Sequence, residues 1–364
     1  MIGGTISTVH EDENQTRYTL TETEHGHAWG VCPEVEGLFG NPRRGTYTMV
    51  GWVPDRAEVC GWVGSRVWLV PDDKPFEPWL LEDAESPGQR AGENSLVLTG
   101  LDAYQGPPEG HTGHVRVHDG RRWLGSCQEF ARVLPHEQAA PPLVLRGLAP
   151  GDELRAALMK GTRRALDLEE AALEIRDDQG EPLTQLLLWT RVSAWRPSSS
   201  GTNLIDLELD GELFTPVPHH AQPVWERWLA GPPDTLGAWN SLDSRLRRSW
   251  LRLVRDRARQ RLDRPAGHAY ELDGRHITDE AGLYLALGEA VNGPGGYFGG
   301  CLTALDDCLR DTFGYTAPAT LLWRNTATAR AYLSQALEAD GRPYDLFSEV
   351  LNVLAEGGMH VTLA

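Results

Sequence analysis

The sequence is poor in cysteine, methionine and lysine, and it has no long apolar run. Five cysteines, Cys32, Cys60, Cys127, Cys301 and Cys308, are scattered over 364 residues. An odd number at uneven spacing excludes a disulfide framework as the basis of the fold and leaves at least one thiol unpaired within the chain. No stretch of about 18 apolar residues occurs, so no membrane-crossing helix is expected. The opening Met1-Ile2-Gly3-Gly4-Thr5 lacks a basic segment followed by an apolar one, and a cytoplasmic location is expected. Lys74 and Lys160 are the only lysines among 34 basic residues, which reads as compositional bias. Basic charge is also in deficit: 52 acidic residues against 34 basic ones give a formal charge of −18. Such a chain repels phosphate, which disfavours general binding to nucleic acid or anionic membranes, and it attracts a basic partner.

What is present suits a large globular chain. Apolar residues make up 40% and charged residues 24%, enough to build cores, and the length implies two or three domains. Short apolar runs separated by Gly and Pro fill the first 215 residues, among them Arg17-Tyr-Thr-Leu20, Tyr47-Thr-Met-Val50, Val67-Trp-Leu-Val70 and Ile205-Asp-Leu-Glu-Leu209. This is strand-and-turn punctuation and predicts a β-rich N-terminal region. Thr48-Met-Val-Gly-Trp52, Val97-Leu-Thr-Gly-Leu101 and Val144-Leu-Arg-Gly-Leu148 resemble one another, which is consistent either with repeated small modules or with chance recurrence at strand ends. The division expected is a β-rich region over 1–140, holding one or two modules, and a β-rich module with a short helix over 141–215. A Pro-rich linker and basic amphipathic helix over 216–264 follow, and an α/β domain over 265–364 completes the chain. Residues 238–264 contain nine Arg and three Asp, whereas 265–364 contain 13 acidic and five basic residues. A basic helix between acidic blocks is expected to pair within the chain or to be a solvated face.

The C-terminal segment alternates strand and helix. Strands are expected at Tyr270–Leu272, Ala319–Trp323 and near His360–Leu363. Helices are expected at about 280–291, 301–313, 328–338 and 344–356. This order implies a three-stranded parallel sheet with flanking helices. Its most specific stretch is Tyr297-Phe-Gly-Gly-Cys-Leu-Thr-Ala-Leu-Asp-Asp-Cys-Leu309. Gly299 and Gly300 permit a tight turn into a helix, Leu302, Leu305 and Leu309 share one helical face as core, and Thr303, Asp306 and Asp307 share the other. An acidic patch on a rigid helix is the result.

An aromatic pair, a glycine, two residues, a leucine, then Ala304-Leu305 and Asp307 resembles the barstar family of ribonuclease inhibitors. Tyr270-Glu-Leu-Asp-Gly274 resembles that family's first strand and turn, Leu321-Leu-Trp323 its central strand, and Ala355-Glu-Gly357 with the apolar end its last helix and strand. The resemblance spans about His268 to Ala364. It implies that helix and preceding loop block a basic ribonuclease, with Asp307 mimicking a phosphate of the RNA and Tyr297 packing on the active site. It implies a partner-binding set of Tyr297, Phe298, Gly299, Thr303, Asp306, Asp307 and Asn352. The sequence departs from the family at Thr303, where a second aspartate is frequent. It departs also at Gly300, at Cys301, at Asp306, a position often aromatic, and at Asn352, where a glutamate can contribute. Asp306, a helical turn from Thr303, stands where it can compensate.

Other chemistries find little support. The histidines at Glu24-His-Gly-His27, at His111, His114 and His118, and at His219-His220 lack ligand spacing with cysteine or carboxylate, so surface histidines are expected. Gly293-Pro-Gly-Gly296 is followed by no Lys-Ser/Thr pair, and no Gly-X-Ser-X-Gly elbow exists. No catalytic residue, metal or cofactor is expected. The reading is an intracellular immunity or antitoxin protein, not an enzyme, whose partner is a basic ribonuclease or related nuclease toxin, without direct binding to nucleic acid or membrane. The alternative is a protein-interaction scaffold with a degenerate barstar-like domain that binds through its β-rich modules.

Overall fold

The computed structural model of the chain describes residues 16–40, 44–55, 59–72, 77–88, 94–102, 113–133, 142–164, 166–258 and 262–364. The chain forms two compact units that do not follow sequence order. The first combines Met1–Phe39, Pro141–Pro216 and Leu229–Gly231, and the second combines Gly40–Ala140, Val217–Trp228 and Pro232–Ala364.

The first unit is a closed antiparallel barrel. Tyr18–Glu22 lies between Ala28–Cys32 and Asp167–Arg176, the ring continues through Pro182–Pro197 and Ile205–Leu213, and Leu143–Pro150 closes it against Ala28–Cys32. Period-two alternation sets its core. Along Pro182–Pro197 the side chains of Leu186, Leu188, Thr190 and Val192 are buried, whereas Gln185, Leu187, Trp189 and Arg191 are exposed. Cross-strand pairs such as Leu20 with Leu173 and Leu173 with Leu186 fill the interior. Helix α1 (Asp152–Lys160) follows the closing strand.

The second unit begins with another antiparallel sheet, ordered Glu129–Val133, Gly45–Val50, Ser95–Asp102, Trp79–Ser86, Gly61–Pro71, Val115–His118, Trp123–Cys127 and Val53–Pro54. Its ends meet, because Val53–Pro54 continues from Gly45–Val50 and Glu129–Val133 continues from Trp123–Cys127. The similar segments around Gly51 and Gly100 lie on adjacent strands of this one sheet, with Thr48 opposite Val97. Tyr47, Met49, Trp52, Leu69, Trp79 and Phe130 are among its core residues.

Helix α2 (Gln222–Leu229) and the basic helix α3 (Ser244–Asp256) come next. Trp250, Leu253 and Val254 of α3 are buried, and Trp250 meets Trp228 edge-on at 5.3 Å. Its arginines pair within the chain: Arg245 with Asp83 at 2.7 Å and with Glu85 at 2.5 Å, and Arg247 with Asp279 at 3.1 Å.

The remainder is an α/β domain. Ala269–Asp273, Ala319–Arg324 and Met359–Leu363 form a three-stranded parallel sheet with Ala319–Arg324 central. Helices α4 (Glu280–Asn292), α5 (Leu302–Arg310), α6 (Thr326–Leu333) and α7 (Leu346–Glu356) accompany it. The helix expected to reach Glu338 stops at Leu333. Beyond it Ala336–Leu337 pairs with Pro343–Tyr344 around Gly341, whose φ of +81° suits a reversal. The last helix begins at Leu346 because the Asp345 carboxylate caps it, accepting from the Ser348 amide at 3.1 Å.

That small hairpin rests on the sheet of the same unit. Leu337 N–H donates to Gly120 O at 2.7 Å. Contrary to the expectation of surface histidines, His118 is fully buried here. Its Nε2–H donates to Ala339 O at 3.1 Å, its Nδ1 accepts from Gly120 N–H at 3.2 Å, and its ring meets Trp123 at 4.9 Å. Both contacts use the neutral ring, and burial holds the pKa below its ordinary 6.5. The unfolded chain therefore binds this proton more readily than the folded one. Stability supplied by neutral His118 is present above about 6.5 and declines as pH falls below it. His118→Gln is expected to flatten this part of the pH dependence of the unfolding midpoint; an unchanged slope would count against the assignment.

All five cysteines are free. Cys32, Cys127 and Cys308 are buried, and burial pushes the Cys32 thiol up to about 12 and the other two to about 11. Cys60 and Cys301 are exposed. Thiol titration of the native protein is expected to count these two promptly and all five after denaturation. Equal reactivity before and after denaturation would contradict the burial.

Candidate partner-binding site

Helix α4 ends at the buried Asn292, and the chain then turns through Gly293 to Cys301 before α5. Asn292 organises this loop: its Nδ2 donates to Tyr297 O at 2.8 Å and to Phe313 O at 2.9 Å, tying the loop to the residues beyond α5. A side chain on Gly314 would strike Asn292 Oδ1 at 2.3 Å, so glycine keeps that space open. Gly299 has φ of +91°, and a Cβ there would lie 3.0 Å from the backbone of Leu305. The loop therefore lies directly on the helix. Cys301 supplies the N-cap, its Sγ accepting from the Ala304 amide at 3.5 Å.

Tyr297 is half-buried and meets Phe313 edge-on at 6.1 Å. Burial pushes its hydroxyl up to about 12, so it remains a hydrogen-bond donor at neutral pH. Phe298 is fully buried against Tyr315, with ring centroids 6.0 Å apart. Its side chain anchors the loop in the core and presents no contact surface. Gly299 is buried as well, whereas Thr303 and Asp307 are exposed on α5. Leu305 and Leu309 are core as expected, but Leu302 is only half-buried and Cys308 takes a buried place on that face. Asn352 is exposed on α7.

The two aspartates of the helix differ. Asp306 is engaged by Arg310 one turn on: Arg310 Nε and Nη2 donate to its carboxylate at 2.9 and 2.7 Å, and these bonds lower its pKa. The Asp307 carboxylate has no ion pair or hydrogen bond among the described residues. Asp306 thus has a partner on its own helix, whereas Asp307 has none among the described residues. Neither Arg310 nor Asn292 is among the site residues that the sequence predicts. The first has a local signal, a cation four residues after Asp306, but the second has none.

Residues 267–354 match the family model Barstar (barnase inhibitor). The match covers about a quarter of the chain, its C-terminal region, and the N-terminal region matches no family model. Neither a curated protein nor a solved structure matches the chain. The parallel sheet and its helices are the barstar-like domain of this protein, and the family is one of inhibitors, not of enzymes. Among the described residues no helix is long and apolar enough to cross a membrane. Among the described residues, only Glu22, Glu24 and His25 place ligand-type atoms within 4.8 Å of one another, in a turn where His25 already meets Glu22 at 3.2 Å; His111 lies outside the described residues.

Proposed function

We propose that the protein is a ribonuclease inhibitor of the immunity or antitoxin type, and not an enzyme, acting through its barstar-like domain on a basic ribonuclease or related nuclease toxin. The observation that carries the reading is the unpaired Asp307 carboxylate, exposed on a helix whose neighbouring loop is pinned by Asn292. A carboxylate held rigidly needs no reordering to accept charge-assisted hydrogen bonds from arginines that otherwise hold phosphate. Tyr297, half-buried and with a protonated hydroxyl, packs beside it on the partner. Thr303 and Asn352, at positions where the family often carries an acidic residue, line the same contact as uncharged groups. The net charge of −18 steers a basic protein toward the chain. Association of the full chain with the cognate nuclease is measured by loss of RNA cleavage, and an intact cleavage rate at saturating inhibitor would reject the reading.

A further inference from the structure

The outer face of the first unit's barrel breaks the rule that outward positions of a soluble barrel are polar. The run Leu186-Leu-Leu-Trp189 places Leu187 and Trp189 on the solvent side of the strand Pro182–Pro197, and Phe214 joins them at the end of the next strand. Leu187 is 39% exposed, Trp189 55% and Phe214 53%. Phe214 N–H donates to Leu187 O at 2.9 Å, which sets the two residues side by side. Directly paired residues of antiparallel strands share a face with Cβ atoms about 5 Å apart. Single exposed apolar residues are ordinary, but three adjacent ones mark a contact surface.

The charges around these residues indicate what it contacts. Trp189 is paired on one side with Glu170 and on the other with Glu212. The next outward row has the same acidic flanks, Asp167 and Asp210, but with Arg191 between them, donating to Asp210 at 2.9 and 2.5 Å. The adjacent row carries an exposed indole, Trp189, at the position that Arg191 holds in this one. Toward the other side the row containing Leu187 is apolar or neutral: Thr21, Ala172, Leu187 and Phe214. A groove of about 440 Å³ opens beside it, bordered by Glu22, Glu170 and Glu174.

The geometry points to a second binding surface, in which a partner polypeptide lays an arginine or lysine over the Trp189 ring beside Glu170 and an aliphatic side chain against Leu187 and Phe214. A cation over an indole is attracted by the ring's electron-rich face, and the neighbouring Glu170 carboxylate adds Coulombic attraction. Successive outward rows are separated by about 7 Å, the spacing of residues i and i+2 in an extended peptide. The fitting segment is therefore extended and basic, with a cationic and an aliphatic residue two positions apart. This surface is independent of Asp307 and of the ribonuclease reading.

The experiment uses the full chain and a fluorescein-labelled octapeptide in which serine alternates with arginine and leucine in turn, followed by anisotropy at fixed ionic strength. The control peptides replace arginine by glutamate, or leucine by serine. Trp189→Ala, Glu170→Gln and Phe214→Ala are each expected to weaken the parent peptide about tenfold, and each control peptide is expected to bind about tenfold more weakly than the parent peptide. Asp307→Ala should leave this binding unchanged. Because the three positions lie on the barrel's outer face, a far-ultraviolet spectrum equal to that of the parent protein establishes that each variant is folded. Parent-like affinity of folded Trp189→Ala and Phe214→Ala would overturn the proposal, as would equal binding of the glutamate peptide. Sedimentation showing a dimer of the parent that Trp189→Ala dissociates would overturn it in favour of a second copy of this chain.

Discussion

Replacing Asp307 by alanine is expected to weaken the complex with a cognate basic ribonuclease by about 2–5 kcal/mol, the range for truncating one partner of a buried, hydrogen-bonded charge pair. Much of that loss falls on the nuclease side, whose phosphate-binding arginines would be desolvated without a counter-charge. In contrast, Asp306→Ala should cost under about 1 kcal/mol, because Asp306 is spent on an exposed pair with Arg310 one turn away. Thr303→Ala should also have little effect. Calorimetric titration of the three variants discriminates them. A tight Asp307→Ala complex together with a weakened Asp306→Ala complex would transfer the role to the other aspartate. Association should slow as salt rises, since steering between opposite charges is screened over about 8–10 Å at physiological ionic strength.

Arg247→Ala is expected to lower the stability of the second unit by about 3–5 kcal/mol, the cost of breaking a buried ion pair from one side. The Arg247 side chain is 7% exposed and reaches four acceptors. Its Nη1 donates to His276 O at 3.0 Å, to Thr278 Oγ1 at 2.8 Å and to Asp279 Oδ2 at 3.1 Å, and its Nη2 donates to Asn240 O at 2.9 Å. Asp279 in turn caps α4 by accepting from the Gly282 amide at 2.7 Å. Loss of the guanidinium thus leaves the half-buried Asp279 carboxylate without its cation at the start of the helix that leads to the Tyr297 loop. Arg247→Lys should recover only part of the loss, since one ammonium cannot span acceptors on both sides of a planar fork. Urea titration followed through the tryptophans of this unit measures both, and parent-like midpoints for Arg247→Ala would refute the bracing role.

The C-terminal domain was legible in the sequence because its signals are local. Tyr270-Glu-Leu272 and Leu321-Leu-Trp323 mark strands by their apolar pattern, and Leu305 and Leu309 mark one face of α5 by helical spacing. A parallel order follows from the alternation of strand and helix. The placement of Asp307 and Tyr297 on the same loop-and-helix element was likewise fixed by a few residues of chain. The hairpin around Gly341 was less legible, since Ala336-Leu337 is apolar and follows a helix, and only its pairing with Pro343-Tyr344 makes it a strand.

The sequence by itself determined a β-rich N-terminal region, a C-terminal parallel sheet with its helices, and a basic helix between acidic segments. It did not determine that Tyr18–Glu22 pairs with Asp167–Arg176, or that the barrel they share is interrupted by residues of the other unit. Strand pairing joins residues about 150 positions apart, and no periodicity within either strand records its partner or register. The same holds for side chains. That Phe298 is core while Tyr297 is half-exposed, and that Asn292 holds the loop through Tyr297 O and Phe313 O, depends on backbone brought together only by folding. Local chemistry chose the residues; the tertiary structure decided which of them were left without partners in the chain, and a polar group already satisfied internally has less to offer a partner than one that is not.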